Sequence, residues 1–294
     1  MLSDAQVKRY HEDGCLVVED VVPKALLAEV RTVIDEWVER SRTVKANDEL
    51  HDLEDDHSAA RPRVRRFKAP DLHHDVFRRM IGLPKVVEAL GELWGVGVRY
   101  DKSKLNMKSE GGGAAVEWHQ DWAFYPHTND DLAAVGFMLD DMELSNGPLM
   151  ILPGSHRGPV IDHHADGFFC GAIDVEAAGL DVSSAIPLTG PAGAITIHHV
   201  RVVHGSAPNL SNRPRRLLLH QYRAADAWPL TELPKWDAWT AALLSGEETF
   251  EPRVTPVPVR LPYPAALNQG SIYENQRTLG HRYFDQPAKR AAAT

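Results

Sequence analysis

Apolar residues in the first third of the chain recur at helical spacing, and those after residue 95 do not. Ser3 followed by Gln6 forms a capping-box pattern that opens a helix over Asp4 to Asp13, ended by Gly14. Cys15-Leu16-Val17-Val18 then makes a short buried strand. Pro23 suits the first position of a second helix, whose stripe is Leu26, Leu27, Val30, Val33, Ile34, Trp37 and Val38. Such a stripe must pack on something, most simply a sheet. A third amphipathic helix spans Leu83 to Gly95, with Val86, Val87, Leu90, Leu93 and Trp94 inward. Between them, Asn47 to His57 is acidic and Arg61 to Lys68 basic. These blocks predict a solvated loop of self-neutralising charge; the other reading is that Arg63, Arg65, Arg66 or Lys68 reaches an anionic ligand.

Beyond Gly95 the runs are short, β-rich and broken by Gly, Pro and Asn. Val96 to Lys108 predicts a strand with Lys102, Lys104, Asn106 and Lys108 on one face and Leu105 and Met107 on the other. Further strands are expected at 133–139, 149–152, 193–198 and 215–222. Turns fall at Gly111-Gly112-Gly113, Asn146-Gly147-Pro148 and Pro153-Gly154-Ser155-His156. The fold class is mainly β with flanking α-helices, a sandwich or barrel. Residues 252–264 are Pro-rich and extended.

Composition narrows the function. The chain has 294 residues, 43% hydrophobic and 25% charged, which suits one large globular domain. A net charge of −9 argues against nucleic acid or an anionic membrane surface as partner. Two cysteines, Cys15 and Cys170, rule out a disulfide framework or a cysteine-rich zinc site, and no apolar run reaches membrane-span length. A cytoplasmic location is expected.

The candidate chemistry starts at Glu117-Trp118-His119-Gln120-Asp121. On an extended strand, His119 and Asp121 point to the same face and offer one nitrogen and one carboxylate oxygen. Alone, His-x-Asp is a weak signal. Downstream, His204 ends an apolar run, Gly-Ser follows, and Arg215 opens the Leu217-Leu218-Leu219 strand. Two antiparallel strands joined by that loop would bring His204 and Arg215 together. His204 would complete a facial two-histidine, one-carboxylate site for Fe(II). Arg215, at the start of an apolar strand, needs an anion and offers its planar fork to the far carboxylate of a dicarboxylic acid. His198 and His199 compete with His204 but lack the Gly-Ser and arginine context. His163 and His164 lie in a polar loop and read as solvated, His156 caps its turn, and Arg201 reads as surface.

His119-x-Asp121, the Asn146-Gly-Pro-Leu to Pro153-Gly-Ser-His turns, and His204-Gly-Ser to Arg215 together resemble the phytanoyl-CoA dioxygenase family of Fe(II)/2-oxoglutarate oxygenases. The likeness runs from about Leu2 to about Tyr222. It implies a double-stranded β-helix (jelly roll, cupin-like). It implies His119, Asp121 and His204 as ligands of Fe(II), and Arg215 as anchor of the 2-oxoglutarate C5 carboxylate. Ser206, Phe137 and Lys104 match co-substrate positions in relatives, although Asn106 and Lys108 share the Lys104 face and a register slip would exchange them. It further implies oxidation of a small-molecule substrate by O2, with succinate and CO2 released. A carboxylate at 121 favours hydroxylation over halogenation. Organised this way, residues 1–95 are mainly helical support, 96–223 the jelly-roll core and 224–294 an extension. Lids are expected from Asn47 to Lys68 and from Ala224 to Tyr283. Nothing resembles a compact CoA-phosphate patch beyond Arg61 to Lys68, so a free metabolite is expected over an acyl-CoA. A non-catalytic cupin-like binding module and a zinc hydrolase using the same triad are the alternatives; the oligomeric state is unknown.

Overall fold

Alternating faces along the strands build two antiparallel sheets that face each other. The computed structural model describes residues 2–232, 235–266 and 270–285. In chain order the elements are α1 (Asp4–Asp13), β1 (Cys15–Val18), α2 (Lys24–Arg40), β2 (His51–Leu53), β3 (Val64–Lys68), α3 (Pro70–His73), α4 (Asp75–Ile81), α5 (Pro84–Trp94), β4 (Val98–Lys108), β5 (Val116–His119), β6 (Leu132–Met138), β7 (Leu149–Ile151), β8 (His164–Ala165), β9 (Phe168–Phe169), β10 (Ile186–Leu188), β11 (Ile195–His199), β12 (His204–Ser206), β13 (Arg215–Ala224), α6 (Trp236–Ala241) and α7 (Ile272–Asn275). The major sheet has strand order β1-β11-β6-β13-β4-β3-β2, and the minor sheet β10-β7-β12-β5. Together they form a double-stranded β-helix.

The N-terminal helices cover the outer face of the major sheet. Ser3 closes the capping box on Gln6, and Gly14 ends α1 in the left-handed conformation. On α2, Leu27, Val30, Val33, Ile34 and Trp37 are buried as the periodicity predicts. Each such side chain stabilises the fold by roughly 1.5–3 kcal/mol. They join Val86, Leu90, Phe67, Leu105, Val135, Phe137 and Leu218 in one core behind the sheet. Residues 70–81, which carry no clean apolar period, form α3 and α4 and add Val76, Phe77 and Met80 to this core.

The two charge blocks do not form a solvated loop. They pair as β2 and β3, and β3 extends the sheet at β4. Arg63 and Arg65 are buried, with ion pairs to Asp56 (2.9 Å) and Glu274, while Asp52 takes Arg66 (3.0 Å) and Lys68 (3.3 Å). The mixed sign that suggests solvent exposure in sequence is satisfied internally. Among the described residues, no helix is long and apolar enough to cross a membrane.

Candidate active site

His119 is the last residue of β5 and His204 the first of β12, and the ladder places them opposite each other with ring centroids 4.0 Å apart. Each imidazole is held by its Nδ1, which donates to a carbonyl two residues back: His119 to Glu117 (2.8 Å) and His204 to Val202 (3.0 Å). That fixes the tautomer and leaves both Nε2 lone pairs free to face inward. Asp121 lies just beyond the strand, in a single 3₁₀ turn, yet its Oδ1 is 3.9 Å from His119 Nε2. One donor atom from each of His119, Asp121 and His204 lies within 4.8 Å of the others, and all three residues are buried.

Three electron-pair donors converge here with no proton between them. Burial pushes His119 down to about 4 and His204 well below its ordinary value, so both rings are neutral at neutral pH. Burial alone would raise Asp121, but Lys104, His198 and the two ligand histidines outweigh it and hold the carboxyl well below its usual range. Two neutral imidazoles and one carboxylate, all on one side of a common point, fit a divalent first-row metal with an open face.

The same cavity runs from this triad to Arg215. Its lining includes Lys104, Asn106, Lys108, His198, Ser206, Arg215, Leu217, Leu219 and Tyr273. Arg215 is directly opposite Lys108 across the β4–β13 ladder, and both are buried. Arg215 donates to the carbonyl of Gly147, and Lys108 donates to Ser206 Oγ at 2.8 Å and to the Ala207 carbonyl. Gly147 is left-handed (φ 69°), and a side chain there would collide with the Ala207 carbonyl. Among the described residues, no carboxylate comes within 4 Å of either cation. Burial lowers Arg215 to about 10; burial and then Arg215 itself push Lys108 well below its ordinary value. An incoming carboxylate would relieve both.

His204 and Arg215 do meet in one cavity, but not as neighbouring strands. β12 belongs to the minor sheet and β13 to the major, so the two residues approach from opposite walls. Ser206 lines the same cavity. Lys104 lines the cavity beside Asp121 (3.9 Å), and Lys108 occupies the place next to Arg215 and Ser206. Phe137 does not join the site. Its ring packs 5.1 Å from His220 in the core behind the sheet, because on β6 the alternation turns Gly136 and Met138 towards the barrel.

Several other expectations are corrected. His163 is not solvated: it is buried, and its Nε2 accepts from the backbone N–H of Gln120 at 2.8 Å, fixing the residue between the two ligands. Arg201 is only partly exposed and pairs with Asp130 (2.9 Å). His156 meets His11 and His199 across the end of α1. His198 lies 3.7 Å from Asp121 Oδ2 and 4.7 Å, ring to ring, from His204. Glu117 also escaped the sequence reading. Buried two residues before His119, it accepts from the backbone N–H groups of Tyr283 and Phe284 and so ties the C-terminal segment to β5. A glutamate inside an apolar strand was the available signal.

The sequence model of the phytanoyl-CoA dioxygenase (PhyH) family matches residues 10–217. The chain is 36% identical over 283 residues to a probable alpha-ketoglutarate-dependent hypophosphite dioxygenase of Stutzerimonas stutzeri, covering 95% of this chain and 99% of that protein. It is 31% identical over 248 residues to an L-proline trans-4-hydroxylase of Streptomyces griseoviridis, covering 78% and 88%. In structure it resembles EctD from S. alaskensis with bound Fe: TM-score 0.66 and 21% identity, over 86% of this chain and 89% of that one. With its matching sequence span and its triad facing a buried arginine, the chain belongs to the phytanoyl-CoA dioxygenase family of Fe(II)/2-oxoglutarate-dependent oxygenases.

Proposed function

We propose that this protein is a non-haem Fe(II)/2-oxoglutarate-dependent dioxygenase that hydroxylates a small organic metabolite. His119, Asp121 and His204 hold the iron, and Arg215, Lys108 and Ser206 hold the far carboxylate of 2-oxoglutarate. The observation that carries this reading is the shared cavity: a three-donor metal site at one end and two buried cations lacking a carboxylate at the other. A hydrolase would leave those cations without a task, and an unpaired buried charge costs several kcal/mol, on the order of 3–5.

When bound, the iron supplies the place where O2 and 2-oxoglutarate react, one oxygen atom ending in succinate, the other in the hydroxylated product, with CO2 released. The chain's own groups do the positioning. The Nδ1–carbonyl bonds lock both imidazoles in one tautomer. Arg215 and Lys108 set how far the keto acid reaches towards the metal. Leu149, Val116, Leu217 and Leu219 keep the walls between the two ends apolar, and Ile272 and Tyr273 cover them. Water is thereby excluded, which strengthens every charge interaction inside. We place Lys104 at the metal end of this cavity and the C-terminal segment around α7 as its lid. The relatives named for hypophosphite and for L-proline act on small molecules, which supports a free metabolite over an acyl-CoA. The same reading puts the enzyme in the cytoplasm, where Fe(II) and the buried thiols of Cys15 and Cys170 stay reduced.

The test is succinate release by the purified enzyme with Fe(II), 2-oxoglutarate and O2, across a panel of candidate substrates. Release that needs all three supports the reading. Turnover that proceeds under argon, or with zinc in place of iron, overturns it.

A further inference from the structure

On the other side of Asp121 from Arg215 there is a second hollow of about 270 Å³, lined by Arg66, Lys102, Lys104, Tyr125, Gln221 and Asn275 among others. It shares Lys104, Asp121 and Ile272 with the cavity already described, so a molecule in it would lie against the metal site from the open side. We infer that the primary substrate is a small oxyanion, a phosphinate, phosphonate or carboxylate, held in this hollow by Lys102, Lys104 and Arg66. The inference rests on the oxygenase reading for the reaction and for the assignment of Asp121 to the metal.

Cations outnumber carboxylates around it. Asp52 is shared by Arg66 (3.0 Å) and Lys68 (3.3 Å). Asp101 is shared by Lys102 (3.4 Å) and Arg223 (3.3 Å). Among the described residues Lys104 has only Asp121, at 3.9 Å, and that carboxylate is committed to the metal. Of these groups Arg66, Lys102, Lys104 and Asp121 line the hollow itself, so among the described residues three cations face one carboxylate there. The remaining walls are neutral. Lys102 Nζ sits 4.6 Å over the Tyr125 ring, and Gln221 donates to the Tyr125 hydroxyl.

Strand geometry explains why one chain segment serves two anions. Lys102, Lys104 and Lys108 lie on the same face of β4, at a rise of about 3.3 Å per residue. Lys108 meets Arg215 at the keto-acid end, and Lys102 and Lys104 reach the hollow at the other. The size of the hollow also matters. It lies below the roughly 300–1,000 Å³ usual for drug-sized ligands, which suits an ion of a few heavy atoms.

The experiment compares wild type with Lys102→Glu and Arg66→Gln, loaded with Fe(II) and 2-oxoglutarate. Calorimetry under argon measures binding of phosphinate, methylphosphonate and acetate, with acetamide and ethylamine as uncharged and cationic controls. In parallel, succinate release is measured in air with the same compounds. The anions should bind and stimulate, the controls should not, and Lys102→Glu should weaken anion binding at least tenfold; the ranking among the three separates phosphorus from carboxylate chemistry. Lys102 is half exposed, so its replacement tests charge without threatening the fold. Absence of binding by all three anions, equal stimulation by acetamide or ethylamine, or unchanged anion affinity in both variants would each overturn the inference. Anion binding by an enzyme that never releases succinate would instead count against the oxygenase reading.

Discussion

Lys108 and Arg215 stand directly opposite each other on β4 and β13, both buried and neither within 4 Å of a carboxylate among the described residues. Like charges in register repel, and their desolvation adds to the cost. A fold that keeps such a pair is arranged around an anion. Lys108→Met should therefore act in opposite directions on two measurements. Without 2-oxoglutarate its melting temperature should rise, by an amount corresponding to about 1–3 kcal/mol for a like-charge pair of this burial. The half-saturating 2-oxoglutarate concentration should increase at least tenfold. A variant that is both less stable and unchanged in its 2-oxoglutarate requirement would assign Lys108 a purely structural role.

Arg215→Ala should be the more severe change. Removing one partner of a buried charge pair costs roughly 3–5 kcal/mol. At about 1.4 kcal/mol per tenfold, that corresponds to a rise of roughly two to four orders of magnitude in the 2-oxoglutarate needed for succinate release. Steady-state kinetics in 2-oxoglutarate would read it directly.

His119→Ala and Asp121→Ala each remove one of three converging donors. Both should abolish succinate release and lower the iron retained after dialysis, determined by elemental analysis. Phe137→Ala supplies the contrast. Its ring fills the core behind the sheet, so the change should destabilise by about 3–5 kcal/mol in denaturant titration. The 2-oxoglutarate requirement of the folded fraction should not move.

Acid should unfold the metal-free protein through its buried histidines. Burial lowers His220 to about 3, and His163 likewise, while burial and then Arg223 bring His127 to about 4. An unfolded histidine takes its proton near pH 6.5. Between these values the unfolded chain holds more protons than the folded one, so stability climbs with pH. The contribution of the neutral rings is complete above about pH 6.5 and is lost as pH falls towards 4 and then 3. His220→Phe should make the dependence of the urea midpoint on pH shallower by up to one proton over this window.

Glu117 ties the C-terminal segment through the backbone N–H groups of Tyr283 and Phe284. Gln276 reinforces it, accepting from the Glu117 N–H and donating to the Gly171 carbonyl. Glu117→Ala with Gln276→Ala should loosen that segment. Limited proteolysis should then cut residues 270–285 several times faster than in wild type, with the β-helix core left intact.

The amphipathic helices, the alternation of β4 and the donor types at 119, 121, 204 and 215 were all legible along the chain. They rest on local periodicity and on side-chain chemistry, which neighbouring residues suffice to express. The order of strands was not, because pairing joins distant segments. That is why His204 and Arg215 meet across two sheets rather than along one hairpin. The face taken by each residue of β6 likewise depends on which sheet wraps which core. One position of register separates Phe137, turned to the helices, from Gly136, turned to the barrel. The charged stretch from Asn47 to Lys68 read as loop because opposite charges on adjacent segments look the same in sequence whether water or a partner strand satisfies them. The sequence alone therefore determined which chemistry the chain carries; which of Lys104, Asn106 and Lys108 faces Arg215 was decided only when β4 paired with β13, since register is a property of two strands and not of either one.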